Sequence, residues 1–487
     1  MAGIGFELKK VFAKKGFLNS IKGYGYAAVV STGPMLLGIL LLLGIMGLCM
    51  LMDVDIHLRE LFISMITYTM LASTLVTAVF SQVVTRFIAD MLFAEDHEAI
   101  LPAFWGSISV TLALGSLIYG SYLIISGASF LQGFLCYMLL GELIIVWNAM
   151  NFLSALKDYK SIFLSFFAGI AISLSTGALL LFLKAPVIES LLFSVTLGYG
   201  VMMIWEIILL HRYFPQSKRS AFTFLKWMDS YLPLVLSGLF MIVGMFSHLM
   251  IMWHSDIGYQ TMGLFYGAPQ YDVPSLLAYM TSFITTINFV ISVEVNFYHK
   301  YSNHYSLYND GGTINNIKQS EHEMIGTLKT ELFYAAFKQL LFTVLIIAVG
   351  GYLLDFLPIG FDEIMRGYFR TLCVAYGICA IGNMITLIQF YFTDYKGALI
   401  GTLVFAITTI VFTLLSLFIP SIYYGFGFLL SSLVFAIVAT IRLNYYTKRL
   451  PFYILAVQPL VNEEKNGLFT KISKFLNGKL EESKNEK

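Results

Sequence analysis

A succession of long apolar runs is the feature that most constrains what this chain can fold into. A bilayer core of about 30 Å needs about 20 apolar residues per helix, and polar breaks separate runs of roughly 17–25 such residues here. Hydrophobic residues make up 58% of the chain and charged residues 12%, which excludes an ordinary soluble domain. The sequence predicts an all-α polytopic membrane protein with about 12 spans, near residues 25–50, 61–84, 101–125, 131–155, 161–183, 188–210, 231–252, 273–297, 332–354, 369–393, 397–419 and 423–444.

The placement of Lys and Arg between the spans predicts the orientation. Basic residues collect in alternate loops, whereas the opposite loops hold only Arg59, Lys184, Arg366 and Arg370. Because loops rich in Lys and Arg stay on the cytoplasmic side, both termini are predicted to be cytoplasmic.

The two terminal segments have amphipathic patterns. Residues 4–22, "IGFELKKVFAKKGFLNSIK", place apolar residues near one helical face and lysines on the other. This pattern suits a helix on the anionic inner leaflet, and equally a charged lead-in that only fixes topology. In the polar tail, "LFTKISKFL" predicts a short amphipathic helix.

A repeated tripeptide indicates internal duplication. Asp-Tyr-Lys occurs at 158–160 and at 394–396, 236 residues apart, each time in an inner turn between two spans. Polar stripes with equal spacing lie 211 residues apart on the second and eighth spans: Thr74, Thr77, Ser81, Thr85 and Thr285, Asn288, Ser292, Asn296. The larger offset of the tripeptide places an insertion in the inner loop 298–331. Such stripes are also common in membrane helices without any duplication.

The predicted organisation follows from this repeat. It consists of an amphipathic segment at 1–22, a first six-helix half at 23–210, a cytoplasmic linker at 211–230, a second half at 231–445 with the inserted loop, and a cytoplasmic tail at 446–487.

Ionisable groups inside the spans are the first site candidates, because each charge at a helix centre costs roughly 2.5–3.5 kcal/mol. Glu142 lies near the middle of the fourth span, and Glu206 and Glu294 lie nearer the cytoplasmic ends of theirs. Glu142 could be a proton site or contact a polar substrate, or could pair with a buried Lys or simply stay protonated. Arg86 or Lys338 could pair with Glu142 or Glu294, and the sequence does not choose among these pairs.

Amides and hydroxyls supply the remaining candidates. Asn288 and Asn296 belong to the stripe of the eighth span, and Asn383 and Gln389 belong to a third stripe with Thr386 and Thr393. These stripes could line a hydrated cleft for a hydroxyl-rich solute, or could bond helix to helix. In the two inner turns, Asp158, Lys160, Asp394 and Lys396 are expected to stabilise the turn rather than to contact substrate.

Two further groups of residues are assigned ordinary roles. The four cysteines lie in apolar runs without metal-ligand spacing, so neither a disulfide framework nor a metal site is expected. The outer loop 255–272 is rich in Tyr and Phe, which favours an interfacial aromatic belt over a platform for stacking sugars.

The opening "MAGIGFELKK" and the following "YGYAAVVSTGP", with twelve spans in two halves, resemble the PelG family of inner-membrane transporters for Pel exopolysaccharide. That family lies in the multidrug/oligosaccharidyl-lipid/polysaccharide (MOP) flippase superfamily. The resemblance implies a V-shaped bundle in the bacterial inner membrane that carries a growing amino-sugar polymer outward. It also implies a PelF-like cytoplasmic glycosyltransferase using a UDP-activated sugar, and PelD-like and PelE-like membrane subunits linked to cyclic di-GMP.

No GxxxxGK[ST] loop for nucleotide binding occurs in the chain. The energy for export could therefore come from the partner, whose elongation of the polymer would push it across the membrane. No cofactor and no nucleic acid are expected, and the other contacts expected are membrane lipids.

Three alternatives remain open. An ion-coupled flippase of drugs or lipid-linked oligosaccharides would use Glu142 or Glu294. A polytopic glycosyltransferase would use the acidic pattern Asp53-Val54-Asp55, although the short outer loops leave little room for an acceptor and two carboxylates in a connecting loop are usually just solvated. A scaffold would dock the synthase on the basic inner loops 211–227 and 298–331, a role compatible with transport.

Overall fold

The structure is a computed structural model, and it describes residues 17–156, 158–356, 361–456 and 466–485. Within these residues, twelve helices are long and apolar enough to cross a membrane. The chain is a multi-pass membrane protein, as predicted. The predicted segment 1–22 lies mostly outside the described residues.

In its described residues, the first part of the chain forms nine α-helices and one β-hairpin. They are α1 Phe17–Leu51, α2 Ile56–Phe93, α3 Ile100–Gly115, α4 Ser121–Ile125, α5 Phe130–Leu156, α6 Tyr159–Phe182, α7 Val187–Tyr213, α8 Lys226–Ser230 and α9 Leu232–Met252, followed by strands β1 Tyr259–Met262 and β2 Phe265–Gly267. A π-helical turn, Ser116–Gly120, joins α3 to α4, so these two cross as one span.

The second part is helical throughout its described residues. Its helices are α10 Pro269–Tyr279, α11 Phe283–Phe289, α12 Tyr298–Asn309, α13 Ile314–Phe356, α14 Glu363–Tyr391, α15 Tyr395–Ser416, α16 Gly425–Thr447, α17 Leu450–Leu455 and α18 Leu468–Asn485.

Close packing divides the chain into two compact units. The N-unit draws on Met35–Pro269, Ala398–Ala406 and Pro459–Lys487, and the C-unit on Met1–Pro34, Gln270–Gly397 and Ile407–Gln458. In the N-unit, α5 packs on α2 and α7, and α9 packs on α2; in the C-unit, α14 packs on α16. Packing therefore groups α9 with the first half, although the sequence repeat assigns it to the second. The predicted halves describe which helices the duplication would relate, whereas the two units describe which helices pack together. The predicted domain limits therefore remain a prediction.

Aspartates begin four of the long helices. Asp55, Asp158, Asp362 and Asp394 are the N-cap residues of α2, α6, α14 and α15, and each carboxylate accepts a hydrogen bond from a backbone N–H two or three residues further on. Such a cap satisfies one of the donors that every helix start leaves without a partner. The short polar breaks between apolar runs therefore define where the helices begin.

The eighth predicted span, 273–297, is not one regular α-helix. It passes through α10, a 3₁₀ turn at Met280–Ser282, α11 and a π-helical segment at Val290–Phe297. Pro274 lies within α10, and proline removes a backbone donor from a helix interior. Hydropathy gives the length of an apolar run but does not distinguish an α-helix from a 3₁₀ turn or a π-helical segment.

The expected inner loop at 298–331 is a helical hairpin, which corrects the sequence interpretation. It consists of α12 and the first turns of α13, joined at residues 310–313, where Gly311 has φ +78°. His304, Met324 and Leu328 are buried between its arms, and Lys300 pairs with Glu323 at 2.7 Å. The sequence is polar, so hydropathy alone gave no helix signal; apolar residues spaced three to four apart on its inner face hold the hairpin together.

His304 gives this hairpin an expected sensitivity to acid. Its Nδ1 lies 2.8 Å from the Ser320 hydroxyl, its Nε2 is buried, and burial lowers the pKa of His304 below the ordinary 6.5. The unfolded hairpin binds a proton at His304 more readily than the folded hairpin does. The contribution of His304 to the stability of the hairpin is therefore fully present above about pH 6.5 and is lost as the pH falls below that value. Hydrogen exchange of the hairpin amides, corrected for intrinsic rate, should speed up at pH 5.5 relative to pH 7.5. His304→Asn should abolish this difference; an unchanged difference would contradict the assignment.

A short antiparallel hairpin, β1–β2, adds to the otherwise helical fold. Gly263 sits at its turn with φ +53°, and a Cβ there would lie 1.9 Å from the Ser126 carbonyl oxygen. The hairpin docks through the Leu264 N–H on the Ser126 carbonyl at 2.8 Å, and through Phe265 against the ring of Tyr68. Some of the predicted outer loop 255–272, including Phe265, therefore packs against other residues of the N-unit.

Candidate functional site

Glu142 on α5 is a buried carboxyl beside a glycine. Only 9% of the residue is exposed, and a Cβ on Gly200 of α7 would lie 3.1 Å from its Oε1. Its Oε2 is buried and has no hydrogen-bond partner among the described residues. The glycine therefore makes room for a carboxyl group that can hold a proton or meet a polar ligand.

Glu206 lies on the same helix, α7, six residues after Gly200. It is 0% exposed, and the Ser165 hydroxyl of α6 donates to its Oε1 at 3.1 Å. Its Oε2 likewise has no partner in the described part of the chain. The side chain is enclosed, although it lies near the predicted cytoplasmic end of its span. Six residues rise about 9 Å along a helix, so Gly200, which faces Glu142 of α5, and Glu206 lie about 9 Å apart along α7, and the N-unit contains two buried acids.

Arg86 is engaged with its own helix. Its Nη2 lies 3.0 Å from Asp90 Oδ1, and its guanidinium lies over the ring of Tyr231 at 5.4 Å. Asp90 also accepts a hydrogen bond from Trp227 Nε1 at 2.8 Å. The sequence considered Glu142 and Glu294 as partners of Arg86 and missed Asp90, although the spacing of four residues on one helix was the signal for it.

The polar stripe of the eighth span faces α13. Thr285 donates to Gln339 Oε1 at 2.6 Å, Lys338 donates to Asn288 Oδ1 at 3.2 Å, and Asn296 donates to Glu331 Oε1 at 2.8 Å. These are helix-to-helix hydrogen bonds, one of the two interpretations left open by the pattern. Lys338 is exposed, Asn288 is buried, and the Glu294 side chain lies outside the described residues.

Gln339 was not singled out from the sequence, yet it is the centre of this contact. Its Nε2 donates to the Thr281 carbonyl and to the Thr343 hydroxyl, both at 3.0 Å. A Cβ on Gly377 of α14 would lie 3.0 Å from that Nε2. A buried glutamine with these three hydrogen bonds could be recognised only once the 3₁₀ turn at Met280–Ser282, α11, α13 and α14 were placed together.

The other stripes are satisfied largely within or between helices. On α2, the hydroxyls of Thr74 and Thr85 donate to carbonyls four residues earlier, and Ser81 donates to Asn151 at 3.3 Å. On α14, Gln389 is buried and donates to the Ala439 carbonyl at 3.2 Å, while Asn383 is half-buried.

The two Asp-Tyr-Lys turns are built alike but are held differently. Asp158 caps α6 by accepting a hydrogen bond from the Ser161 N–H at 3.2 Å, and it accepts another from the Tyr213 hydroxyl at 2.7 Å. Burial alone would raise the pKa of Asp158, but these hydrogen bonds hold that pKa below its ordinary value. Asp394 caps α15 through the Gly397 N–H and receives two hydrogen bonds from Arg442, both at 2.7 Å. Lys160 and Lys396 are exposed.

Among the described residues, no group of three or more His, Cys, Asp or Glu is placed to hold a metal ion. Asp55 of the acidic pattern 53–55 is the cap of α2 and accepts from the His57 N–H at 2.8 Å.

A family comparison decides what kind of protein this is. The sequence profile of the family described as "PelG: Putative exopolysaccharide Exporter (EPS-E)" matches residues 1–455. The chain belongs to the PelG family. A comparison with curated proteins gave no match.

Solved structures similar to this PelG-family chain are transporters of the MOP superfamily. An outward-facing multidrug resistance MATE family transporter has a TM-score of 0.59 and 13% identity, and the match covers 92% of this chain and 98% of that one. An inward-facing MATE transporter gives 0.58 and 16%, covering 87% and 99%. A MOP superfamily transporter from Pyrococcus furiosus, described as having a binding pocket of reversed polarity, gives 0.54 and 15%, covering 92% and 98%. These likenesses show the fold.

The PelG-family match and this fold agree with the resemblance carried by the opening residues. α18 lies beyond the matched residues, 1–455.

Proposed function

We propose that this chain exports a growing exopolysaccharide across the bacterial cytoplasmic membrane, and that a cytoplasmic glycosyltransferase supplies the polymer. The observation that carries the proposal is the family match over residues 1–455, in a chain with twelve candidate spans and a MOP-type fold. In this proposal the substrate is a Pel-like amino-sugar polymer, both termini are cytoplasmic, and the chain itself catalyses no reaction.

Elongation supplies the driving force in this scheme. Each sugar added by a PelF-like enzyme lengthens the polymer on the cytoplasmic side and advances it by one unit. Polar groups inside the helical units, such as Glu142 and Asn383, offer hydrogen bonds that sugar hydroxyls can exchange for those of water. PelD-like and PelE-like subunits would link this synthesis to cyclic di-GMP.

Inverted membrane vesicles test export directly. Vesicles holding the synthase, its membrane subunits and this chain are given radiolabelled UDP-N-acetylhexosamine and then a glycoside hydrolase outside. We expect hydrolase-resistant polymer within the vesicles only when this chain is present. Equal protection without the chain would overturn the proposal.

Buried acids in the N-unit support a second candidate, ion-coupled transport. If elongation drives export, Glu142→Gln and Glu206→Gln should each retain protected polymer within about twofold, because an amide fills the same space and no proton needs to move. An uncoupler that collapses the proton gradient should also leave export unchanged. A loss of tenfold or more in both variants, matched by the uncoupler, would instead favour the ion-coupled flippase.

The hairpin of α12 and α13 is the proposed contact for the glycosyltransferase. Its outer face exposes Asn303, Ile314 and Lys318, and its inner face holds it together independently of them. Ile314→Glu combined with Lys318→Glu should reduce co-purification of the synthase at least fivefold. Lys160→Glu, an exposed lysine in an inner turn, serves as the control. Undiminished co-purification in the double variant and after removal of 303–325 would refute this contact.

A further inference from the structure

The C-terminal helix α18 is held by a polar clamp on the linker before α9. Asp229 of α8 accepts hydrogen bonds from the N–H groups of Phe469 at 3.3 Å and Thr470 at 2.7 Å, and from the Thr470 hydroxyl at 2.7 Å. An aspartate from a distant segment thus satisfies the first donors of this helix, as a local N-cap would. A Cβ on Gly467 would lie 2.3 Å from Asp229 Oδ1, so the chain approaches closely here.

Two more contacts fix the same face of α18. The Ser473 hydroxyl donates to the Phe222 carbonyl at 2.8 Å, and the Phe222 N–H donates to Asn477 Oδ1 at 3.2 Å. Thr470, Ser473 and Asn477 follow one another at helical spacing, which puts them on one side of the helix. The rotation of α18 about its axis is therefore set.

The side turned away from the linker is apolar and basic. Leu468 is 67% exposed and Ile472 is 37% exposed, and Phe475 continues this apolar stripe at the same spacing. Lys471 and Lys474 are exposed beside it. The clamp thus presents apolar side chains outward and flanks them with cations.

The clamp also lies next to the start of a membrane span. Asp229 precedes Leu232, the first residue of α9, by three residues, and Trp227 in the same linker bonds to Asp90 on α2. A helix with its side chains is about 10–12 Å across, so the outward face of α18 lies within about one helix diameter of the point where the chain enters the bilayer.

We propose that the apolar stripe and lysines of α18 bind the anionic lipid surface of the membrane that the chain spans. Apolar side chains enter the boundary between headgroups and acyl chains, and the lysines meet lipid phosphates, which is how amphipathic basic helices bind interfaces. The clamp sets the rotation of the helix in advance, so that binding needs no refolding. This role does not depend on what the chain exports.

A fluorophore on the full-length protein tests the proposal. The four native cysteines are buried, so Ile472→Cys can be labelled selectively with an environment-sensitive dye. The labelled protein is placed in nanodiscs of phosphatidylcholine alone or mixed with phosphatidylglycerol, with nitroxide-bearing lipids as quenchers. Asn303→Cys on the α12–α13 hairpin serves as the water-exposed control.

We expect quenching at position 472 to rise at least threefold when phosphatidylglycerol is present, while position 303 stays unquenched. Lys471→Glu with Lys474→Glu should return position 472 to its level in the neutral lipid. Quenching that is equal in the two lipid compositions would overturn the proposal. Shielding of position 472 from a water-soluble quencher only when the glycosyltransferase is added would also overturn it, in favour of a protein partner.

Discussion

Replacing Asp394 by alanine should lower the free energy of unfolding by about 3 kcal/mol, a large loss for one residue. The carboxylate is 4% exposed, caps α15 and accepts two hydrogen bonds from Arg442, so its removal breaks the cap and leaves the guanidinium without its carboxylate. Equilibrium unfolding of the purified protein in mixed micelles measures the change.

Two variants separate the contributions. Asp394→Asn keeps a good N-cap acceptor but removes the charge, so its loss should be intermediate. Asp158→Ala removes the equivalent cap in the other half, where the partner is the neutral hydroxyl of Tyr213, and should cost only about 1 kcal/mol. Equal losses for Asp158→Ala and Asp394→Ala would mean that the pairing with Arg442 adds nothing.

The second large effect is expected at Gln339. Gln339→Leu keeps the volume of the side chain but deprives the Thr285 hydroxyl, the Thr281 carbonyl and the Thr343 hydroxyl of their partner. Leaving buried polar groups unsatisfied costs about 1–3 kcal/mol each, and the threonine hydroxyls can recover part of this by turning to their own helices. We expect a net loss of about 2–3 kcal/mol in the same unfolding assay.

Gln389→Leu is the matched control for that change. Gln389 is equally buried, but it donates one hydrogen bond, to the Ala439 carbonyl, and its Oε1 has no partner among the described residues. Its loss should therefore be less than half that of Gln339→Leu. A larger loss for Gln389→Leu would show that Gln339 is not the centre of the contact between α13 and its neighbours.

The membrane spans could be predicted because they depend on local chemistry alone. About 20 apolar residues must cross a bilayer core whatever they pack against, and twelve such helices are present in the described residues. The family was also within reach, since its resemblance rests on a contiguous stretch at the start of the chain. The helical hairpin at 298–331 was missed because its helices lie in a polar sequence, where hydropathy carries no signal.

Contacts between residues far apart in the sequence could not be predicted, for a different reason. Thr285 and Gln339 lie 54 positions apart, and Asp394 and Arg442 lie 48 apart, so no local spacing connects them. Glu206 shows the same limit, because its burial comes from the packing of α6 against α7, which its own sequence position near a helix end does not reveal. The pair of Arg86 and Asp90 is different: it lies one helical turn apart, so its spacing could have predicted it, but it was missed.

The clamp on α18 has a consequence for how the chain is made. Asp229 and Thr470 are 241 positions apart, and ribosomes add roughly 5–20 residues per second, so the linker waits on the order of 10–50 s for its partner. During that interval, α9 to α17 must all be synthesised, and the membrane spans among them must be inserted. The N-unit is therefore completed last, and a chain released by the ribosome before α18 lacks the hydrogen bonds that Phe469 and Thr470 donate to Asp229.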